Sequence, residues 1–340
     1  MSTVRSLARW ETLLALLLIG LLALGGWWHP DTFLTPGNIG NLTSAVMEVA
    51  IMALPMTLII ITGEIDLSVE SMLGLSCAVL GALWAAGVPI ELGIPIVLVM
   101  GAFGGLFNGL LVARGGLPSL VVTLGTLALY RGLALVVLAE RGISKFPEWF
   151  TTFGFSTIPG TPIPYSLIVF TILAVVLGIV LHRTWIGRQV FAIGKNKDAA
   201  RYSGVRVQRA KVLLFVLMGT VAALAGVIIT ARFASARADI GIGLTLTVVT
   251  MVLLGGVNIN GGKGTILGVV IAVFVLAVLG NVLRLAQVSA EWQSIAIGLL
   301  LIISVVIPQL AHQVSVVIER IRRDRRPPAG SLEPGEMSEA

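Results

Sequence analysis

Apolar residues run along this chain in long blocks separated by short polar stretches, and that pattern dictates the architecture. A membrane-crossing helix needs about 20 mostly apolar residues. Ten blocks reach or approach that length: Thr12–Trp28, Leu42–Thr62, Ser68–Gly87, Leu92–Val112, Leu117–Ala139, Tyr165–Leu181, Val212–Ala231, Gly243–Val257, Thr265–Leu285 and Trp292–Pro308. The eighth is short and is expected to be partly re-entrant. Period-two alternation is absent, which argues against a β-barrel. The expected fold class is an all-α polytopic membrane protein with about ten transmembrane helices. Composition strengthens this reading: 56% of the 340 residues are hydrophobic and only 12% charged, against about 25% charged in soluble domains. A water-soluble globular enzyme and a disordered chain are both excluded.

Charge adds the topology. If the N-terminus is cytoplasmic, the inside holds Arg5, Arg9, Arg114, Lys263, eight basic residues between His182 and Lys211, and the tail cluster Arg320, Arg322, Arg323, Arg325 and Arg326. The outside then holds only Arg141, Lys145, Arg232, Arg237 and Arg284. The positive-inside rule therefore predicts both termini in the cytoplasm. The same distribution explains the net charge of +6 without a nucleic-acid partner, because the basic residues form no continuous face. Arg5 and Arg9 precede an apolar stretch with no small-x-small cleavage site before Trp27 and Trp28, so the first block is read as an uncleaved helix with an interfacial aromatic end. Residues 1–326 form the membrane domain, with a cytoplasmic loop at 183–211, and residues 327–340 a disordered tail.

Candidate chemistry is sparse. Cys77 stands alone in an apolar block, and His29, His182 and His312 are isolated, so no metal set or nucleophilic triad is expected. Gly256 to Lys263 imitates a phosphate loop, but the spacing fails: Val257 stands where a glycine is required and Gly264 follows the lysine. Charges inside the blocks need protein or water around them. Arg131 lies too deep to snorkel and is expected against the bundle interior, as structural glue or lining a path. Glu48 is expected at the outer interface. The outer loop from Glu140 to Pro164, rich in aromatics and proline, packs as a cap or lies at the interface.

The loop 183–211 contains a short punctuated helix. Asn196 is a good N-cap, Asp198 suits the first turn, and Gly204 suits a left-handed C-terminal position. Two turns are unstable alone, so the segment is packed, used for docking, or simply a solvated basic loop. Ala199 and Ala200 are read as permitting close approach of a partner, with Tyr202 as a wedge. A faint internal repeat relates Leu73-Gly74 to Leu267-Gly268 at an offset of 194, and duplicated halves with Gly-interrupted helices are a transporter habit.

Gly194 to Gly204 resembles the cytoplasmic Ala-Ala-x-x-x-Gly coupling loop of ABC importer permeases, and most closely the ribose/rhamnose-type sugar permeases. Gly63 to Ser71, with Asp66 and Ser68, is similar to that family's G-G-I-D-L-S-V-G-S signature. Pro118 to Thr126 (including Thr123), then Tyr130-Arg131-Gly132, is similar to its fifth-span motif. Leu254-Gly255-Gly256 through Gly261-Gly262-Lys263-Gly264-Thr265 is similar to its late double-glycine motif. Glu64 and Glu70 stand where the family has glycine. With Asp66 they make three carboxylates in seven residues and no base nearby in sequence. They are read as a hydrated inner turn, with the alternative that Asp66 accepts backbone N–H bonds at the start of the third span.

The resemblance implies a non-enzymatic transport subunit that binds no cofactor itself. ATP and Mg would be handled by separate ABC ATPase subunits gripping Gly194, Asn196, Asp198, Ala199, Ala200, Tyr202 and Gly204. An extracytoplasmic sugar-binding protein would deliver a monosaccharide. A second permease copy or paralogue, in membrane lipid, would complete the path. Details such as Phe146-Pro147-Glu148-Trp149-Phe150 point to rhamnose first, with ribose or autoinducer 2 next. A secondary transporter driven by an ion gradient is the rival class, although the sequence offers no Asp/Glu/His relay.

Overall fold

The computed structural model describes residues 2–139, 141–303 and 306. It is helical throughout: α1 (Ser2–Trp28), α2 (Pro36–Ser44), α3 (Met47–Ile61), α4 (Val69–Ala85), α5 (Ile90–Ala113), α6 (Ser119–Leu138), α7 (Glu148–Phe155), α8 (Tyr165–Arg183), α9 (Trp185–Lys195), α10 (Lys197–Tyr202), α11 (Val207–Phe233), α12 (Leu244–Leu254) and α13 (Ile266–Leu285), then α14 (Ala290–Ile303). Among the described residues the only β-type pairings are two isolated bridges, Ile143 to Ala236 and Thr157 to Pro164. The expected tail 327–340, its arginine cluster and the end of the tenth block at Pro308 lie outside the described residues.

Every expected block contains a helix, but they are not ten equivalent spans. Six helices among the described residues are long and apolar enough to cross a membrane, or seven if α2 and α3, bent by 45°, count as one. The blocks at Ser68, Gly243 and Trp292 hold only the shorter helices α4, α12 and α14. For α4 and α12 the reason is local. Residues 64–67 before α4 are non-helical, and α12 begins only at Leu244, after the turn at 238–243. Non-helical backbone therefore leads directly into each of these helices, and α12 is the shorter of the two, as the short eighth segment led one to expect.

α3 and α11 form the centre. All fifteen residues of α3 are buried. α11 meets α5 by glycine rather than by interlocking large side chains. A Cβ added at Gly101 would stand 2.4 Å from the Gly219 carbonyl oxygen, one at Gly105 2.1 Å from that of Phe215, and one at Gly109 2.9 Å from Val212 Cα. Glycines four apart on one helix face let two backbones touch, the small-xxx-small mode of membrane packing. The loop after α6 resolves as a cap. Phe146 stacks on Trp84 and meets Phe150 at a tilt, Phe150 is buried, and α7 sits so close to the end of α11 that a Cβ at Gly154 would lie 2.2 Å from the Ala231 carbonyl carbon.

Candidate functional site: a glycine junction beneath a capped hairpin

The helix predicted at Asn196 is present as α10, and its caps form as the residue types dictate. Asn196 Oδ1 accepts from the Asp198 N–H at 3.0 Å and the Ala199 N–H at 2.9 Å. Gly204 takes φ of +83°. α9 and α10 fold into a hairpin whose inner face packs Ile193, Ala200 and Val207 together. Ala199 is exposed, and Tyr202 is 93% exposed. The two alanines therefore differ: Ala199 is available for approach by a partner, whereas Ala200 faces inward and holds the hairpin shut.

The hairpin is anchored at Gly194. A Cβ there would lie 1.8 Å from the Ile61 carbonyl oxygen and 2.5 Å from the Gly262 nitrogen. Those two atoms are themselves hydrogen-bonded, the Gly262 N–H donating to Ile61 at 2.8 Å. Gly261, at φ +83°, completes the contact: its Cβ would come within 3.0 Å of the Gly63 nitrogen and 3.1 Å of the Gly194 oxygen. Glycines from three separate motifs, Gly63, Gly194 and Gly261-Gly262, thus meet in one place. Backbone can approach backbone this closely only without side chains. Gly255 and Gly256 extend the seam. The Gly255 oxygen lies where a Cβ at Gly268 would be, 2.1 Å away, and Gly256 at φ +85° lies against Trp10, whose indole N–H donates to the Leu254 carbonyl at 2.9 Å. Gly264, at φ +154°, leads into α13. That helix is N-capped by Thr265, which accepts from the Gly268 N–H at 3.0 Å.

Deeper in the bundle, the non-helical stretches create a physical problem. Backbone groups at membrane depth must find partners within the protein. The signature turn solves it with side chains. The Ile65 N–H donates to Ser119 Oγ at 3.2 Å, and Thr123 donates to the Ile65 carbonyl at 3.5 Å. Asp66, 2% exposed, accepts from the Ser68 N–H at 2.9 Å and the Ser68 hydroxyl at 2.6 Å. Asn108 donates to Ser68 Oγ at 2.9 Å, and Tyr130 reaches Asn108 Oδ1 at 3.5 Å. Asp66 is therefore buried and braced, as the alternative reading of the turn had it, while Gly63 is exposed and Glu64 partly so.

Arg131 serves the second stretch. Its guanidinium donates to the carbonyls of Ala238 at 2.6 Å and Ile240 at 3.1 Å, and reaches that of Glu70 at 3.5 Å. Gly74 leaves the room it needs, because a Cβ there would be 2.7 Å from the guanidinium. Glu70 caps α12, its Oε2 accepting from the Thr245 N–H at 2.9 Å. Arg131 thus holds structure together, one of the two roles expected of it, although it stands apart from the glycine junction.

The structure supplies charge partners that the sequence did not reveal. The carboxylate cluster does have a base. Glu64 pairs with Lys211 from the first turns of α11, a partner 147 positions away and so invisible to local spacing. Glu48 stands at the end of the bundle away from the hairpin, as expected, but it is buried within the protein. It is 1% exposed and bound by Arg232 at 2.6 and 3.4 Å, since a buried charge persists only when paired. Glu64 and Glu70, where the resembling motif has glycine, avoid strain because neither takes positive φ, whereas Gly63 does, at +80°.

The sequence profile described as branched-chain amino acid transport system / permease component matches residues 38–305. The chain belongs to this permease family. The permease is 37% identical over 322 residues to the autoinducer 2 import system permease protein LsrD of Yersinia enterocolitica serotype O:8, covering 93% of this chain and 96% of that one. It is 37% identical over 327 residues to LsrD of Photorhabdus luminescens, covering 93% and 97%, and 36% identical over 323 residues to LsrD of Yersinia pestis (strain Pestoides F), covering 93% and 96%. No solved structure matches the permease. Membership makes it a membrane transport subunit of ABC import systems rather than an enzyme.

Proposed function

We propose that this permease is the membrane-spanning subunit of an ATP-driven importer for autoinducer 2. The observation that carries the cargo is the near end-to-end match to several LsrD proteins. It favours autoinducer 2 over rhamnose, the cargo first expected from the sequence, and over ribose. In this reading two ATPase subunits seat on the exposed face of α10, with Ala199 and Tyr202 at the contact. Their closure on ATP moves the hairpin, and the junction at Gly194 passes that motion to the α3–α4 and α12–α13 turns together. A binding protein presents the cargo at the opposite end, near the α7 cap, and a second permease copy or paralogue completes the path. The chain spans the inner membrane ten times with both termini cytoplasmic, α4, α12 and α14 supplying the shorter crossings.

The test is uptake by proteoliposomes containing the permease with its ATPase, its paralogue if one is required, and the binding protein. ATP-dependent accumulation of autoinducer 2 in preference to rhamnose and ribose is the expected result. Preference for either sugar would overturn the cargo. Accumulation driven by a proton or sodium gradient without the ATPase would overturn the mechanism.

A further inference from the structure

At the end of the bundle away from the hairpin lies a cavity of about 410 Å³, lined by Asn38, Asn41, Ser44, Ala45, Phe155, Arg232, Asn281, Arg284 and Leu285. Its position follows from α1 and α13, which run side by side in the same direction. Thr265 at the start of α13 bonds Glu11 near the start of α1, and Arg284 lies in the last turn of α13. Trp27 and Trp28, both exposed, end α1 at that same level, where interfacial aromatics sit beside lipid headgroups. The 45° bend between α2 and α3 opens the space.

The walls are built and polar. Asn38 and Asn281 clasp each other by two amide hydrogen bonds of 3.0 and 2.8 Å, and Asn281 is buried. Arg232 is fixed by Glu48 through Nε and one terminal nitrogen. Glu48 is thereby neutralised, and the lining contains no carboxylate of its own. That leaves Arg284, exposed at the mouth of the cavity, whose guanidinium lies over Gly280 with no hydrogen-bond or ion-pair partner among the described residues. The side chains of Asn41 and Ser44 likewise have none there. Leu285, Ala45 and Phe155 supply an apolar edge. A net positive, donor-rich pocket at headgroup level matches an oxyanion carried on an apolar stem. The unpaired charge of Arg284 is what favours an oxyanion over a neutral polyol, and a guanidinium is the group best fitted to phosphate.

We infer that this cavity is a phosphate-binding site, with Arg284, Asn41 and Ser44 as its donors, and that an anionic phospholipid headgroup fills it in the membrane. The experiment is native mass spectrometry of the full-length permease, released from nanodiscs of mixed phosphatidylglycerol and phosphatidylethanolamine. Wild type, Arg284→Gln, Asn41→Leu and the control Arg237→Gln are compared. Arg237 is an exposed arginine paired with Asp239 and lies outside the cavity. Wild type and the Arg237 variant should retain phosphatidylglycerol. Arg284→Gln should retain about tenfold less, corresponding to about 1.4 kcal/mol, and Asn41→Leu an intermediate amount, with both variants monodisperse. A parallel melting assay with inorganic phosphate separates the sources. Arg284-dependent stabilisation by phosphate without lipid retention would keep the oxyanion and overturn the lipid. Equal retention by wild type and Arg284→Gln with no phosphate effect would overturn the site.

Discussion

Replacing Gly194 by alanine tests the coupling argument most directly. The new methyl would lie 1.8 Å from the Ile61 oxygen and 2.5 Å from the Gly262 nitrogen, where ordinary contact begins at 3.4 Å. Both neighbours are backbone, so no flexible side chain can move aside. The hairpin must shift outward by more than an ångström, or the Gly262–Ile61 hydrogen bond must open. Overpacking of this kind costs about 1–3 kcal/mol, and the lost hydrogen bond about 1 kcal/mol more. Neither is enough to unfold a bundle whose centre is α3 packed against α11, so the protein should still reach the membrane. The assay compares cargo uptake with ATP hydrolysis in proteoliposomes. Hydrolysis should persist while uptake per ATP falls roughly tenfold or more, as a loss of about 1.4 kcal/mol of coupling implies. Gly204→Ala is the control. It meets φ of +83° but has nothing within 4 Å, so its cost is only the left-handed strain of about 1–2 kcal/mol, confined to the hairpin's end. Wild-type uptake per ATP in Gly194→Ala would refute the reasoning.

Other substitutions separate the remaining roles. Ala199→Trp on the exposed face of α10 should leave the melting temperature unchanged and weaken ATPase co-purification, whereas Ala200→Trp should lower the melting temperature by overfilling the Ile193–Val207 contact; equal effects would contradict the facing assigned to them. Lys211→Met should destabilise the chain by about 1–3 kcal/mol, because it strands a partly buried carboxylate. Adding Glu64→Gln should recover most of that loss in a melting-based double-mutant cycle; simple additivity would deny the pair. Arg131→Gln should expose the segment around Ala238–Ile240, read as faster backbone hydrogen exchange there than at the glycine junction. Uniform exchange across both regions would remove its bracing role.

The parts of this structure legible in the sequence are those set by local composition. Apolar run length located the helices, and Asn196 and Gly204 announced α10 because capping depends on residues three or four apart. The shortness of the Gly243 block foretold α12. What could not be read were partnerships made across the bundle. Nothing around Glu64 points to Lys211, and nothing near Glu48 points to Arg232. The signal available was that each is a charge in an apolar setting, which requires a partner without naming it. The α5–α11 contact left a readable trace, glycines at 101, 105 and 109, that only a search for four-residue spacing would have caught. The glycines of the three separate motifs each suggested a turn, but their convergence is a tertiary fact.

That convergence gains meaning from the repeat. In the first half the Gly63 N–H donates to Ile60 at 2.9 Å and the Glu64 N–H to Ile59 at 3.3 Å. In the second half the Gly256 N–H donates to Leu253 at 3.0 Å and the Val257 N–H to Val252 at 3.3 Å. The two glycines take φ of +80° and +85°. The same C-terminal cap therefore ends α3 and α12, and each is followed by a non-helical stretch leading to the next helix. Corresponding turns in the two halves meet where Gly262 bonds Ile61, and the hairpin presses on that bond through Gly194. In the proposed mechanism a displacement at α10 would therefore reach both halves at once, with no chain of side chains between. The tethers on the far side of the two turns differ: Glu64 is held by an ion pair to Lys211 of α11, whereas the turn at Gly256 is held by the Trp10 indole of α1. A common push against unequal restraints would move the halves by different amounts, and relative motion of the halves is what opening one end of a path while closing the other requires.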